Sequence, residues 1–338
     1  MAAPPPSSAT GRQDAQDAES ILPALSILPA PDDAHGGVSL RRAAVLLAAV
    51  VLTWGITWPV NKVILQSLPP LWSVALRTAI AAIVLFAITA WWGRVAPPRR
   101  EDLPIVLSIA LLHMVGFSVL MAIGLTFIPT GRSVVLAYTT PLWVTPGASL
   151  FLHERLTPQR AAGVVMGLLG LVVLFNPFAF DWSNRTAVLG NGALVLAALL
   201  WAASIVHIRG HHWRGTPFQL LPWETLLAAA IVMPVALAVH GLPAAHWNAA
   251  LVLMLLYAAV PGTALAYWAV AVASRRLPAV TTSLGLLGVP IISIVTATLA
   301  LGEALTPSLL AAVALVIGGV AVGTIGGAGR GAERASRF

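Results

Sequence analysis

The sequence predicts an all-α integral membrane protein of ten transmembrane helices, built as two inverted five-helix repeats. Three observations carry this expectation. Of 338 residues only 9% are charged and 58% are hydrophobic, against about 25% charged in an ordinary soluble domain. So few charges cannot cover a soluble surface, and lipid must be the solvent for most of the chain. Ten apolar stretches follow one another, each close to the roughly 20 residues that a helix needs to cross the hydrocarbon. Residues of one half also recur in the other at a near-constant displacement.

Residues 1–40 stand apart. They are rich in Pro, Ala, Ser and Asp, and their one apolar patch, Ile21–Leu28, is interrupted by Pro23. A secretory signal needs a basic start and an unbroken apolar run. A disordered cytoplasmic tail is expected instead. The spans are then expected at Ala43–Leu65, Leu71–Trp92, Leu103–Ile128, Ser133–Leu152, Gln159–Asn176, Leu189–His207, Phe218–His240, Ala249–Ser274, Val280–Leu301 and Ser308–Ile325. The first five form a unit over 43–176 and the second five a unit over 189–325, with a cytoplasmic tail at 326–338.

Arginine placement supplies the orientation. Of the 19 basic residues all but Lys62 are Arg. With both termini cytoplasmic, 15 of them fall in inner segments. Lys62, Arg132 and Arg185 fall outside, and Arg77 lies within a span. This positive-inside bias supports ten spans and a multi-pass protein of the cytoplasmic (inner) membrane. The net charge of +7 sits singly or in pairs between apolar runs, which speaks for loops and against a nucleic-acid face. The chain has no cysteine, excluding disulfides, thiolate metal sites and cysteine nucleophiles.

Pro141, Glu154, Leu156, Thr157 and Pro158 recur as Pro290, Glu303, Leu305, Thr306 and Pro307, each 149 positions on. Pro129 and Gly170 match Pro278 and Gly319 at the same displacement, and at 147 Trp54 meets Trp201 and Pro70 meets Pro217. Five helices per unit is an odd number, so the second unit enters the membrane from the opposite side. Inverted repeats are the architecture of secondary transporters, whose binding site lies near the midplane between the halves.

Trp54-Gly55 with Asn61-Lys62, Arg77, and Tyr138-Thr139-Thr140-Pro141 leading to Glu154-Arg155-Leu156-Thr157 resemble the EamA-type domain of the drug/metabolite transporter superfamily, as does Pro290 leading to Glu303-Ala304-Leu305-Thr306. The resemblance covers residues 43 to 325. It implies export of amino acids and other metabolites through a central cavity lined by helices 1, 3, 4, 6, 8 and 9. The chain departs from the pattern at Trp201-Ala202-Ala203-Ser204, where the second half lacks the glycine and lysine of the first.

In the first span Trp54, Trp58, Asn61 and Lys62 fall at i, i+4, i+7 and i+8, on one helical face. Asn and Lys do not suit lipid, so this face is expected to meet the cavity; the competing reading makes Trp58 and Lys62 interface anchors. His113 and Phe117 share a face of the third span, Tyr138 lies in the fourth, Trp201 and Ser204 share a face of the sixth, and Tyr267 and Trp268 lie in the eighth. Aromatic faces attract an ammonium group and stack on apolar side chains, while Asn61, Lys62, Ser204 and His113 offer donors to a carboxylate. Against this, the aromatics would simply fill space between helices.

Arg77 and Glu224 correspond at the 147 displacement, and both are assigned first to structure, holding carbonyls or loop ends in each half, with Glu224 the candidate for carrying a coupling proton; with no carboxylate in the centre, facilitated efflux is the expected mode. Glu154 and Glu303 precede Thr-Pro helix starts and are assigned to tight turns. Pro141 and Pro290, inside spans, are expected to bend their helices and to serve as hinges.

The expected function is export of amino acids, possibly aromatic ones, or similar small metabolites by alternating access. The alternative is a multidrug exporter of organic cations, weakened because the cavity-lining spans carry no Asp or Glu away from their ends. Sugar-phosphate exchange would want several buried cations and has only Arg77 and Lys62. An enzyme is not expected: His153-Glu154-Arg155-Leu156-Thr157 lacks the second histidine of a zinc motif, and no Gly-x-Ser-x-Gly elbow is present. No cofactor, metal or attached ATPase domain is expected. The partners are a small-molecule substrate and the bilayer, and the protein is expected to act as a monomer.

Overall fold

A computed structural model describes residues 39–154, 156–176, 181–212, 214–274, 276–277 and 279–335; the expected N-terminal tail lies outside them. Ten helices are long and apolar enough to cross a membrane, and no strand occurs among the described residues. They are α1 (Leu40–Ile64), α2 (Pro70–Trp91), α3 (Leu103–Phe127), α4 in two pieces (Thr130–Ala137 and Thr140–Phe151) and α5 (Pro158–Phe175). The second half holds α6 (Arg185–Gly210), α7 (Pro217–His240), α8 (Ala249–Ala259, Val260–Leu265 and Ala266–Ser274), α9 in two pieces (Ala279–Leu286 and Gly288–Leu301) and α10 (Pro307–Ala335). The last helix runs on to Ala335, through most of the segment expected as a tail.

Three starts use one device. Thr157, Thr216 and Thr306 each accept from a backbone N–H three residues on, at 3.3, 3.3 and 3.2 Å. The proline that follows occupies the first helical position, where a missing N–H is not felt. Asn184 and Asn248 cap α6 and α8 in the same way, which is why α6 begins four residues before the apolar stretch that announces it.

The repeat is written into the backbone. α3 carries a π-helical segment at Ile109–Phe117, and its counterpart α8 carries one at Val260–Leu265. α4 breaks at Tyr138–Thr139 and α9 at Leu287, the residue 149 positions beyond Tyr138. Pro141 and Pro290 lie just past these breaks. Pro141 has no N–H for the Ala137 carbonyl, and the Thr140 hydroxyl donates to it instead at 2.8 Å. At the far ends, Glu154 N donates to Ala148 O and Glu303 N to Ala297 O, both at 3.4 Å. The residues before those glutamates, His153 and Gly302, have φ of 56° and 68°. Such angles favour glycine, and the first half tolerates a histidine there.

Packing joins the halves more than it separates them. α2 lies along α7 and α5 along α10; α1 packs on α8 and α9 of the other half, and α6 packs on α3 and α4. This is the pattern that two inverted five-helix repeats produce about one pseudo-two-fold axis. The largest buried cluster draws Trp58, Phe117, Leu136, Leu194, Trp201 and Ile294 from α1, α3, α4, α6 and α9. The outer surface is apolar, with Trp91 88% and Leu299 81% exposed, as a lipid-facing surface must be.

The segments before α3 and α7 are tied together by Asp102. Its Oδ1 accepts from Arg214 N at 2.7 Å and from Gly215 N at 3.0 Å. Burial pushes this carboxyl up, but the backbone N–H donors of Arg214, Gly215 and Arg99 outweigh it and hold the group below its ordinary value. Its stabilising contribution is therefore complete above about pH 4 and is lost as pH falls through the lowered native value. Thermal unfolding of detergent-solubilised protein between pH 6 and 3 should show that loss. Asp102→Asn should flatten it, at a cost of about 1–2 kcal/mol at neutral pH; an unchanged acid limb would remove Asp102 as its source.

Candidate functional site

A π turn hydrogen-bonds five residues along instead of four and widens the helix locally; such turns are frequent at functional sites. Each π segment buries part of its length, Ala110, His113, Met114 and Phe117 in α3 and Gly262, Thr263 and Ala264 in α8. In α8 the Thr263 hydroxyl donates to Ala258 O at 2.8 Å, five residues back. The Gly262 carbonyl accepts from Trp54 Nε1 of α1 at 3.1 Å. In α3 the π segment carries His113, 7% exposed.

Around these segments the aromatic residues form one connected group. His113 stacks on Trp201 with centroids 5.0 Å apart and planes 6° from parallel. Its Nε2 lies 3.1 Å from the Tyr267 hydroxyl. Tyr267 meets Trp54 edge-on at 5.5 Å, and Phe117 and Tyr138 approach Trp201 at 5.0 and 6.3 Å. The six rings come from α1, α3, α4, α6 and α8, hence from both halves. Trp201 Nε1 and Ser204 Oγ, on one face of α6, are buried without a hydrogen-bond partner among the described residues.

The remaining expected site residues lie elsewhere. Trp58 is buried in the same core, below Phe117 and Trp201 in exposure at 6%, and Asn61 is buried beside it on α1. Lys62 is engaged at the end of α3, donating from Nζ to Leu125 O and, at 2.9 Å, to Ile128 O. Trp268 packs on the cluster formed by the starts of α1 and the end of α8.

The charges of α2 and α7 sit closer to the rings than the sequence suggests. Arg77 Nη1 lies 3.4 Å from Thr263 Oγ1, so it reaches a π segment and not a carbonyl or a loop end. Glu224 is 4% exposed on the face of α7 that carries Leu221 and Ala228, which pack against α2, α3 and α8.

Comparison with known proteins decides the family. The EamA-like transporter family matches residues 41–176 and 188–324. The chain belongs to the EamA-like transporter family. It is 25% identical over 278 residues to the uncharacterized transporter YoaV of Bacillus subtilis, across 82% of this chain and 95% of that one. It is 28% identical to a probable terminal-alkyne amino-acid exporter of Streptantibioticus cattleyicolor, across 84% and 93%. A riboflavin transporter of Rhizobium johnstonii is 33% identical over 117 residues, across 34% of this chain and 36% of its own. A solved crystal structure superposes with a TM-score of 0.57 at 20% identity, covering 85% of this chain and 98% of its own; that likeness speaks of fold alone.

The EamA-like fold also restores a match that the sequence comparison misses. The second half does carry a basic counterpart of Lys62, namely Arg209, 147 positions on. Arg209 pairs with Glu154, which also meets Arg160 at 3.6 Å. The Arg209–Glu154 pair joins one half to the other. The residues that sequence reasoning undervalued in this EamA-like transporter are Arg77 and Thr263. The signal available for Arg77 was its charge inside a span, which is costly unless used.

Proposed function

We propose that this membrane transporter exports amino acids or similar small metabolites from the cytoplasm by alternating access, in the cytoplasmic membrane with both termini inside. One observation carries the reading: six aromatic residues from five helices of both halves converge on the two π segments. Rings so arranged offer faces to an ammonium group and to an apolar or aromatic side chain. Trp54, His113, Phe117, Tyr138, Trp201 and Tyr267 contact the substrate in this reading, with Trp58, Asn61 and Ser204 bordering them. Lys62 and Trp268 serve the ends of the bundle. Glu224, buried without an ion pair among the described residues, carries the coupling proton, since a carboxyl at that depth with no counter-charge is costly as an anion. The breaks beside Pro141 and Pro290 act as the hinges.

The test is uptake into proteoliposomes across a panel of amino acids, organic cations and sugar phosphates. Amino acids are expected to be carried, Trp54→Ala and Tyr267→Ala to lower flux about tenfold or more without loss of folded protein, and Glu224→Gln to abolish the pH dependence of transport. Flux of organic cations alone would establish the multidrug alternative, for which the aromatic faces also suffice. Normal flux in both aromatic variants would take these rings out of the site.

A further inference from the structure

Arg77 has few partners among the described residues. It lies on α2 between Val74 and Ala81, residues buried against neighbouring helices. Its one hydrogen bond among the described residues is the long 3.4 Å contact to Thr263 Oγ1. Thr263 in turn donates to Ala258 O, so its oxygen is turned toward the guanidinium. No carboxylate of a described residue forms an ion pair with Arg77, and Glu224, its counterpart on α7, is not close enough to do so. A guanidinium has five donors in a fixed fork suited to a carboxylate. Inside a membrane such a cation is costly unless it finds a partner or marks a substrate path.

What surrounds it is also incomplete. Thr263, its partner, is one turn before Tyr267 on α8, and the Tyr267 hydroxyl lies 3.1 Å from His113 Nε2. Behind His113 stand Trp201 and Ser204, with a buried N–H and a buried hydroxyl that have no partner among the described residues. Buried polar groups are normally satisfied. A guanidinium with no carboxylate partner among the described residues, hydrogen-bonded to the helix that carries Tyr267 and linked through it to His113 and Trp201, suits recognition of an anion with an aromatic body.

We propose that Arg77, oriented by Thr263 at the π segment of α8, binds the carboxylate of the substrate and selects aromatic α-amino acids and other carboxylates over the corresponding amines. The inference rests on the aromatic group being the transport site and gives that site its chemical preference. The carboxylate takes the guanidinium fork, and the aromatic side chain stacks among His113, Trp201 and Tyr267. An organic cation of the same shape would leave Arg77 unpaired and meet a like charge. This is how a site rejects a ligand by withholding a partner.

The experiment uses the full chain in proteoliposomes and in detergent, with tryptophan, tryptamine and indole-3-acetate as probes, which share one ring and differ in carboxylate and ammonium. Wild type is expected to bind tryptophan and indole-3-acetate ahead of tryptamine, read both as competition and as a ligand-induced rise in Tm. Arg77→Gln should weaken both carboxylates by about ten- to a hundredfold while tryptamine does not weaken. Arg77→Lys, which keeps the charge but loses the fork, should recover part of the carboxylate preference. A uniform loss for all three probes in both variants would make Arg77 structural, and an unchanged preference would take it out of the site; either result overturns the proposal. If wild type moves no amino acid yet binds indole-3-acetate through Arg77, the amino-acid reading falls and the carboxylate assignment stands. If it binds no carboxylate, both fall.

Discussion

Gly163→Val is expected to remove the folded protein from the membrane or to lower its Tm sharply, whereas Gly192→Ala should leave it intact. The difference lies in what a Cβ would meet. At Gly163 on α5 it would lie 2.5 Å from the Gly319 carbonyl and 2.8 Å from Gly323 N, both backbone atoms of α10. The relation is mutual: a Cβ at Gly319 would meet Gly163 O at 2.5 Å and Gly167 N at 2.7 Å. Two Gly-x-x-x-Gly strings, 163–167 and 319–323, thus bring the backbones of α5 and α10 together. Between helices in lipid there is little hydrophobic drive, and close van der Waals contact of this kind holds them. Backbone cannot swing aside as a side chain can. Alanine at Gly163 should cost about 1–3 kcal/mol and valine more. At Gly192 of α6 nothing lies within 4 Å, and alanine there should gain about 0.5–1 kcal/mol from helix propensity. Fluorescence-detected gel filtration across a temperature series would read both. If Gly163→Val melted with the wild type, the α5–α10 pair would not be a structural seam.

Ten helices and their inverted duplication were legible because both follow from one-dimensional signals. Apolar length marks a span, and the Pro-Glu-Leu-Thr-Pro strings align whatever the chain does between them. The breaks in α4 and α9 were legible for a related reason, since Pro141 and Pro290 remove a backbone donor wherever they stand. The glycine strings were in view but do not say which helix they meet, and Gly170 matched to Gly319 drew attention to correspondence and away from contact. The π segments were not legible. Nothing in Ile109–Phe117 or Val260–Leu265 announces a fifth-residue hydrogen bond, which arises from how α3 and α8 pack on their neighbours. Arg77 and Glu224 were found as a related pair, but placing them needed to know that α2 and α7 lie together and turn the faces bearing both charges toward α3 and α8. The aromatic group itself was readable only as separate rings on separate helices; that Trp54, His113, Phe117, Tyr138, Trp201 and Tyr267 touch is a fact of packing.

Removing the carboxylate of Glu303 should destabilise the seam between the halves by about 2–3 kcal/mol, because it holds a helix start that has no other acceptor. Its two oxygens accept from Thr130 N at 2.7 Å and Gly131 N at 3.0 Å, the first N–H groups of α4. A helix start is the positive end of its dipole, and a carboxylate there is doubly favoured. The preceding turn is held in the opposite sense, with the Lys62 ammonium on the last carbonyls of α3. One connection between two helices is therefore gripped by an anion from the second half and a cation from the first. Glu303→Ala strands two buried donors. Glu303→Gln keeps one acceptor and should recover part of the loss. A double-mutant cycle with Lys62→Met would isolate their coupling, expected to be favourable and to shrink with salt. Equal stability of the alanine and glutamine variants with wild type would show that water can take the place of the carboxylate. On the other face Glu154 occupies the matching position and binds Arg209, the counterpart of Lys62, together with Arg160.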